Sequence, residues 1–588
     1  MSAPFDKGVN FQRGHAVIPL EWMAPLMFGG LIVFMLIGYP VAFSLAAIGL
    51  FFGFISIELG FFEPAFMSNL PLRIFGILSN ELLLAIPFFT FMGVILERCG
   101  LAEDLLEGTG QLFGSVPGGL AYAVIIVGAV LGAITGTVAA SVIAMGVISL
   151  PIMMRYGYDM RTATGVIAAS GTITQLIPPS LVLVVLADQI GRSVGDMYAG
   201  ALGPSIVQTL LFMLYIFVLS IVKPNWMPPL PESARTLRGW PLYRRVLWGM
   251  VPSVVLIFLV LGTIFMGLAT PTEAGAMGAV GAVVLAVLRH AAFSKAGKIC
   301  AAIGLGALVL LAIPGLAVWK DAWFPAVVSE TAQQWFEQIR SPLLAVFYVG
   351  LAVILFEAVR IADLRGLIRQ AYQNTMRITA MVIFILIGST VFSLVFQGVD
   401  GGIWIEHMLT GLPGGQTGFL IIVSLFVFFL AFFLDFFEIA FIVVPLLAPV
   451  AQKLGIDLVW FGVLLCVMLQ TSFMHPPFGF ALFYLRGIAP KEVKSSDIYW
   501  GALPWVVLQI IMAGIVVFWP TLVTDFIPKQ QFQDAISVET MLEAADEKPP
   551  EDAAADTRPN SAGDKPQGEE RAADDPAAEI ERQLKSGR

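Results

Sequence analysis

The chain has 588 residues, 58% of them hydrophobic and 13% charged, with a mean hydropathy of +0.85. A membrane crossing needs about 20 apolar residues, so this composition excludes a soluble globular protein and predicts an all-α polytopic membrane protein. The net charge of −9 says little about the apolar part, because residues 541–588 alone carry 13 Asp/Glu against 7 Lys/Arg.

In chain order, residues 1–21 are polar and lack the pattern of a secretory signal. Trp22–Ile57 fits two spans joined near Gly38-Tyr39-Pro40, and Leu82–Leu96 a short one. From Gly108 to Met154, 47 residues carry no charge, with a centre rich in small and hydroxyl residues from Gly132 to Ser141. That stretch fits two crossings or a re-entrant hairpin over about 117–154 turning at Thr135-Gly136-Thr137. Small-residue helix packing accounts for it equally well. Uncharged runs then predict helices at Thr162–Ala187, Met197–Val222, Val246–Thr272, Ala274–Leu288, Ile299–Trp319, Ser341–Phe356 and Ile378–Val399. His407–Pro449 carries charge only at Asp435 and Glu438, and suggests a second hairpin over about 416–452. Leu458–Leu485 and Trp500–Thr524 complete the apolar part, and residues 525–588 read as an acidic disordered tail.

A pattern recurs at fixed spacing. Gly157-Tyr158-Asp159 lies 21 residues before Pro178-Pro179, and Gly455-Ile456-Asp457 lies 21 before Pro476-Pro477. Ser141 stands ten residues before Pro151, as Asp435 does before Pro445. Proline removes a backbone donor and clashes with the preceding turn, so each pair predicts a broken helix, within 162–187 and 458–485. In hydrocarbon such a break survives only where it is buried in protein or lines a cavity. Paired interrupted segments in two halves point to a transporter's binding site. Basic clusters at Arg155/Arg161, Lys223–Arg245, Arg289–Lys298, Arg360–Arg377 and Arg486–Lys494 thread consistently if all lie inside. That threading makes the two repeats inverted: a first membrane half at 22–289, a two-span segment and loop at 290–377, and a second half at 378–524.

The breaks also set the chemistry. Unwinding frees carbonyls, and hydroxyls add hard oxygen ligands suited to a cation such as sodium. Freed helix N-termini can receive an anion. The first cation site is expected at Thr135, Gly136, Thr137, Gly171, Thr172 and Pro178. The second is expected at Asp435, Gln470, Thr471, Ser472 and His475. Ser170, Thr174, Pro179, Ser180, Pro476 and Pro477 are expected to line the substrate. An embedded carboxylate is costly and usually functional, though Asp435 also suits an interface position. His475 suits a proton site or a structural hydrogen bond. Cys99, Cys300 and Cys466 show no metal spacing and read as apolar packers. No Gly-x-x-x-x-Gly-Lys-Ser/Thr motif is present, and no catalytic cluster. The chain is expected to be no enzyme, to hold no organic cofactor, and to engage no nucleic acid.

These residues resemble a known family. Gly132-AITGTVAAS-Val142, Pro151, Gly157-Tyr158-Asp159, Ala169-SGTITQLIPPS-Leu181, Thr270-PTEAGA-Met277 and Leu469-QTSFMHPPFGFALF-Tyr484 are similar to the DctM-type large membrane subunit of TRAP (tripartite ATP-independent periplasmic) transporters. Phe433-LDFFEIAFIVVPLLAPVA-Gln452 is most similar to the mannitol, chloroaromatic and 2-oxo acid branch. The resemblance implies an elevator-type secondary transporter of the bacterial inner membrane with two re-entrant hairpins. It implies a small four-helix DctQ-type membrane subunit and a DctP-type periplasmic solute-binding protein as partners, with membrane lipid around them. It implies sodium-driven import of small organic anions, namely carboxylates such as 2-oxo acids or dicarboxylates. A stand-alone ion-coupled antiporter or exporter is the alternative. The sequence departs from the family pattern at the first hairpin tip (Thr135-Gly136-Thr137-Val138 for Ser-Gly-Ser-Ser), at Thr174-Gln175 for Gly-Pro, at His475 for Thr, and in the length of 290–377.

Overall fold

The computed structural model describes residues 19–236, 238–320, 330–410, 413–432, 434–476 and 479–527. Within that set the side chains of residues 36, 134–135, 309, 311–320, 330–339 and 410 are left out. The acidic tail from 528 onward and residues 1–18 lie outside it. The described residues fall in one compact unit, 1–528, and all their regular elements are helical. Among them, nine helices are long and apolar enough to cross a membrane, with a tenth if a pair bent by 48° at residues 79–80 counts as one.

In chain order the helices are α1 (Leu20–Ile37), α2 (Val41–Glu58), α3 (Leu70–Leu78), α4 (Ala85–Arg98), α5 (Leu101–Leu112), α6 (Gly119–Thr135) and α7 (Val138–Arg155). Then come α8 (Met160–Thr172), α9 (Leu181–Gln189), α10 (Val194–Val222), α11 (Trp240–Phe265), α12 (Pro271–Arg289), α13 (Lys295–Lys320) and α14 (Glu330–Arg360). The last are α15 (Ala362–Gly398), α16 (Gly401–Thr410), α17 (Gly415–Leu430), α18 (Phe436–Lys453), α19 (Leu458–Ser472), α20 (Phe480–Ile488) and α21 (Ser495–Phe518).

Local chemistry sets the boundaries. Gly38 ends α1 in the left-handed region at φ +91°, where the lack of a Cβ removes the steric penalty. At the α11–α12 turn, Thr270 and Glu273 form a capping box: Glu273 N–H donates to Thr270 Oγ1 (3.3 Å), and Thr270 N–H to Glu273 Oε2 (2.8 Å). Two of the amides left over at a helix start are thereby satisfied. Glu273 is thus a helix cap at a span end. Glu357 is buried against Arg360 at 2.7 Å.

Two sets of helices, an outer and an inner, also pack on each other, as α4 and α5 do on α6. The outer group joins α2 and α4 to α15, α4 to α12, and α5 to α11. Glycines permit its closest crossings. A Cβ on Gly49 of α2 would sit 2.9 Å from Phe392 N, and one on Gly388 of α15 would sit 2.3 Å from Ala42 O. At one end, Arg245 pairs with Glu107 at 2.7 Å, and Arg289 of α12 pairs with Asp104 of α5. The inner group comprises α6–α10 and α17–α21.

Helix α15 is continuous over 37 residues, about 55 Å long, so the position 377/378 drawn between loop and span lies inside it. Charge ended the apolar run there, but Arg, Gln and Leu are good helix formers and the helix continues outward. Helices α13 and α14 are antiparallel neighbours that cross at Gly304, whose added Cβ would lie 2.9 Å from Gly350 Cα. The chain leaves for this pair after His290 and returns at Asp363, with His290 Nε2 and Asp363 Oδ2 3.7 Å apart.

Candidate functional site

The repeated Gly-x-Asp elements fold alike. Gly157 and Gly455 take φ of +77° and +70°. Asp159 and Asp457 then cap α8 and α19, accepting from Thr162 N (3.0 Å) and Trp460 N (2.8 Å). A short polar side chain at the N-cap satisfies an orphan amide, so the same three residues start both helices at the same offset. Both helices then break. The first passes through a 3-10 turn at Ile173–Gln175 and resumes at Leu181, and its Pro178–Pro179 bond is cis. The second ends at Ser472 and resumes at Phe480.

Each break is faced by a helical hairpin. The first is α6–α7, turning at Gly136 (φ +60°) and Thr137. Gly128 and Gly132, one turn apart on α6, face Ser170 of α8 and Thr174 in the 3-10 turn that follows it. Added Cβ atoms would lie 2.6 Å from Ser170 Cβ and 2.9 Å from Thr174 Cα. This close approach carries the tip onto the break, where a Cβ on Gly136 would lie 3.7 Å from Leu181 N and 3.8 Å from Pro179 O. Gly171 meets Val142 of α7, its added Cβ falling 3.1 Å from Val142 N. The base of the hairpin is clasped by the Tyr158 hydroxyl, which accepts from Leu120 N at 3.2 Å. Burial pushes that hydroxyl up to about 12, so it stays uncharged.

The second hairpin is α17–α18, α17 ending at Leu430 and α18 starting at Phe436. Asp435 caps α18 with a second capping box, accepting from Glu438 N at 2.9 Å while Glu438 Oε2 accepts from Asp435 N at 3.0 Å. Beside the turn, the His475 ring stacks on Phe432 (centroids 4.1 Å, 14°) and meets Phe428 edge-on at 4.4 Å. The two repeats also exchange arms. Helix α6 packs on α8 and α17 on α19, while α7 packs on α20 and α18 on α9. Each hairpin therefore touches both broken helices.

Most of the polar side chains foreseen in the sequence converge on these junctions. Ser170, Thr172 and Thr174 are fully buried and donate to the carbonyls of Ile167 (2.9 Å), Ala169 (3.0 Å) and Gly171 (2.8 Å). Thr471 and Ser472 donate to Met468 and Leu469, both at 2.6 Å. A hydroxyl has one proton and two acceptor lone pairs, so donating leaves each of these oxygens able to accept, as Thr172 does from Gln509. Ser180 donates to Gln175 O (2.5 Å) and caps α9 by accepting from Val182 N (3.2 Å). Pro178 and Pro179 are buried with it, Pro476 is half-buried, and Gly136 is buried beside half-buried Thr137. Pro477 and the Thr135 side chain lie outside the described residues.

Several partners were not foreseen. Ser205 of α10 donates to Leu176 O at 3.0 Å, Cys466 of α19 to Gln175 O at 3.3 Å, and Gln509 of α21 to Thr172 Oγ1 at 3.0 Å. They tie three helices to the first break. The side-chain amides of Gln175, Gln208 and Gln470 are buried with no hydrogen-bond partner among the described residues. Buried polar groups are normally paired, and these amides are exceptions to that rule. A lone amide inside an uncharged span, as at Gln208 and Gln509, was the available sequence signal. The Phe428/Phe432 sandwich had none, because phenylalanine is common in every span.

The fold is that of a polytopic permease assembled from two repeated hairpin and broken-helix units. The sequence matches the Tripartite ATP-independent periplasmic transporter, DctM component, over residues 28–320 and 315–522, and the chain belongs to that family. It is similar to the C4-dicarboxylate TRAP transporter large permease protein DctM of Pseudomonas aeruginosa, with 25% identity over 78% of this chain and 89% of that one. The DctM of Rhodobacter capsulatus is 26% identical over 85% of this chain and 97% of its own length. The isethionate TRAP transporter permease protein DctMQ of Oleidesulfovibrio alaskensis is 24% identical over 86% of this chain and 65% of its own. The chain is thus a multi-pass inner-membrane transporter permease and not an enzyme.

Proposed function

We propose that this permease is the translocating subunit of a binding-protein-dependent importer of small organic anions, driven by an inward sodium gradient. The observation that carries this reading is the matched pair of junctions, each with a hairpin tip against a helix break. In the proposal, sodium binds at the first junction through Gly136, Thr137, Gly171 and Thr172, and a second cation at Gln470, Thr471, Ser472 and His475. The substrate anion sits between them, where the restarts of α9 and α20 offer positive dipole ends. Oxygen-rich, nitrogen-poor ligands at the first junction suit a hard cation. At the second, His475 places an imidazole among the candidate ligands and makes a proton the competing ion.

The relatives' printed names include a C4-dicarboxylate and isethionate, a carboxylate and a sulfonate. This supports a small anion and is compatible with a 2-oxo acid. The inner group of helices would move as a body against the outer group, as an elevator. A four-helix membrane subunit and a periplasmic binding protein complete the system.

The test is uptake of labelled C4-dicarboxylates and 2-oxo acids into vesicles carrying this chain and its small subunit. Purified binding protein is added outside, with and without an inward sodium gradient. Uptake requiring both supports the proposal; uptake without any binding protein overturns the tripartite reading in favour of a stand-alone carrier. Thr137→Ala or Ser472→Ala leaving sodium dependence intact would remove those residues from the cation sites.

A further inference from the structure

Between α11/α12 on one side and α13/α14 on the other lies an apolar groove of about 560 Å³. Its walls include Leu259, Val280, Leu288, Leu305, Phe347 and Ile354. On α12 it runs from Ala276 to Leu288, about 18 Å along the helix. Its outer wall belongs to the α13–α14 pair.

One end of the groove is chemically distinct. There α11 begins, α12 ends, α13 begins and α14 ends, gathering Arg244, Arg245, Arg289, Lys295, Lys298 and Arg360. Arg245, Arg289 and Arg360 are spent on Glu107, Asp104 and Glu357. Lys295 and Lys298 are exposed and have no ion-pair partner among the described residues. Leu288 adjoins Arg289, and Ala301 lies one turn beyond Lys298, so the groove opens at this basic end. Trp240, Tyr243 and Trp248 are exposed on the first turns of α11, by 73%, 53% and 67%. Amphipathic aromatics settle at headgroup level, which places that end at a membrane surface.

We propose that this groove is a binding site for an anionic phospholipid, with an acyl chain along Val280 and Leu305 and the phosphate at Lys295 and Lys298. A helix is roughly 10–12 Å across, so a groove of about 560 Å³ holds little more than one turn of a protein partner, whereas an acyl chain matches its narrow apolar length. The free lysines supply charge complementarity that a zwitterionic lipid does not need. Basic pockets between spans recognise anionic headgroups, each cation contributing on the order of 1 kcal/mol. The lipid would seal the α13–α14 pair against the outer helices.

The full chain, reconstituted in phosphatidylcholine nanodiscs, is exposed to photoreactive phosphatidylglycerol or photoreactive phosphatidylcholine, and labelled peptides are mapped. Phosphatidylglycerol should label α12 and α13 in preference to phosphatidylcholine. Lys295→Ala/Lys298→Ala should reduce that preference by about thirtyfold. Val280→Trp fills the groove and should abolish labelling there by either lipid, and Leu259→Trp does the same from the opposite wall should the first variant not fold. Equal labelling by the two lipids in the native chain overturns the proposal. So does labelling that persists in a folded groove-filled variant, or a co-purifying polypeptide that occupies the groove in place of lipid.

Discussion

His475 is 1% exposed, with two phenyl rings against its own. His475→Phe should keep the stack on Phe432 and leave the melting temperature little changed, while uptake falls to background. A melting curve and a transport assay on the same preparation check both halves; unchanged uptake would remove the imidazole from the ion pathway. Gly132 is the opposite case, a residue defined by what it lacks. A side chain there meets Thr174 Cα at 2.9 Å, and backbone cannot swing aside. Gly132→Val should destabilise by about 1–3 kcal/mol, read as a lowered melting temperature, and should lift the hairpin tip from the break. The small-residue character of 132–141 was visible in the sequence. Its use was not, because a small residue shows that something approaches closely and leaves open what. Asp435 shows the same ambiguity: an embedded carboxylate reads as functional, and the structure gives it a helix to cap as well.

Among elements, the repeat was the most legible feature, because one turn chemistry enforces it. A positive-φ glycine followed two residues later by an N-cap aspartate admits few other structures. Asp159→Ala and Asp457→Ala should each cost about 1 kcal/mol. Matched losses on thermal melting would show that the two starts are equivalent, and a loss at one alone would show that they are not. Helices α3 and α5 escaped the sequence reading for the converse reason. Glu103, Asp104 and Glu107 interrupt hydropathy along α5, yet Asp104 and Glu107 are the partners of Arg289 and Arg245, so charges that signal a loop in a linear scan serve here as contacts between helices. The reciprocal docking of α7 on α20 and α18 on α9 was also out of reach. Spacing along the chain reports that two units match, while exchange of arms depends on how they meet in space.

At the scale of the molecule, the apolar spans and their order followed from composition. Which helices pack on which, as α2 and α4 on α15 and α6 on α8, required tertiary contacts. The α13–α14 pair packs mainly on itself. His290 and Asp363 stand 3.7 Å apart across its ends, so 72 residues depart from and return to a single point. A segment with that geometry is topologically a side branch. It could have been acquired whole, between two positions that were already neighbours, without rerouting any helix on either side. It should be removable on the same terms. A chain in which a short glycine-serine bridge replaces residues 291–362 should insert with unchanged sidedness, since two crossings are lost together, and should still carry substrate. Cysteine-accessibility mapping of the flanking loops and an uptake assay would check this; inverted accessibility after residue 363 would show instead that the branch steers insertion of everything that follows it.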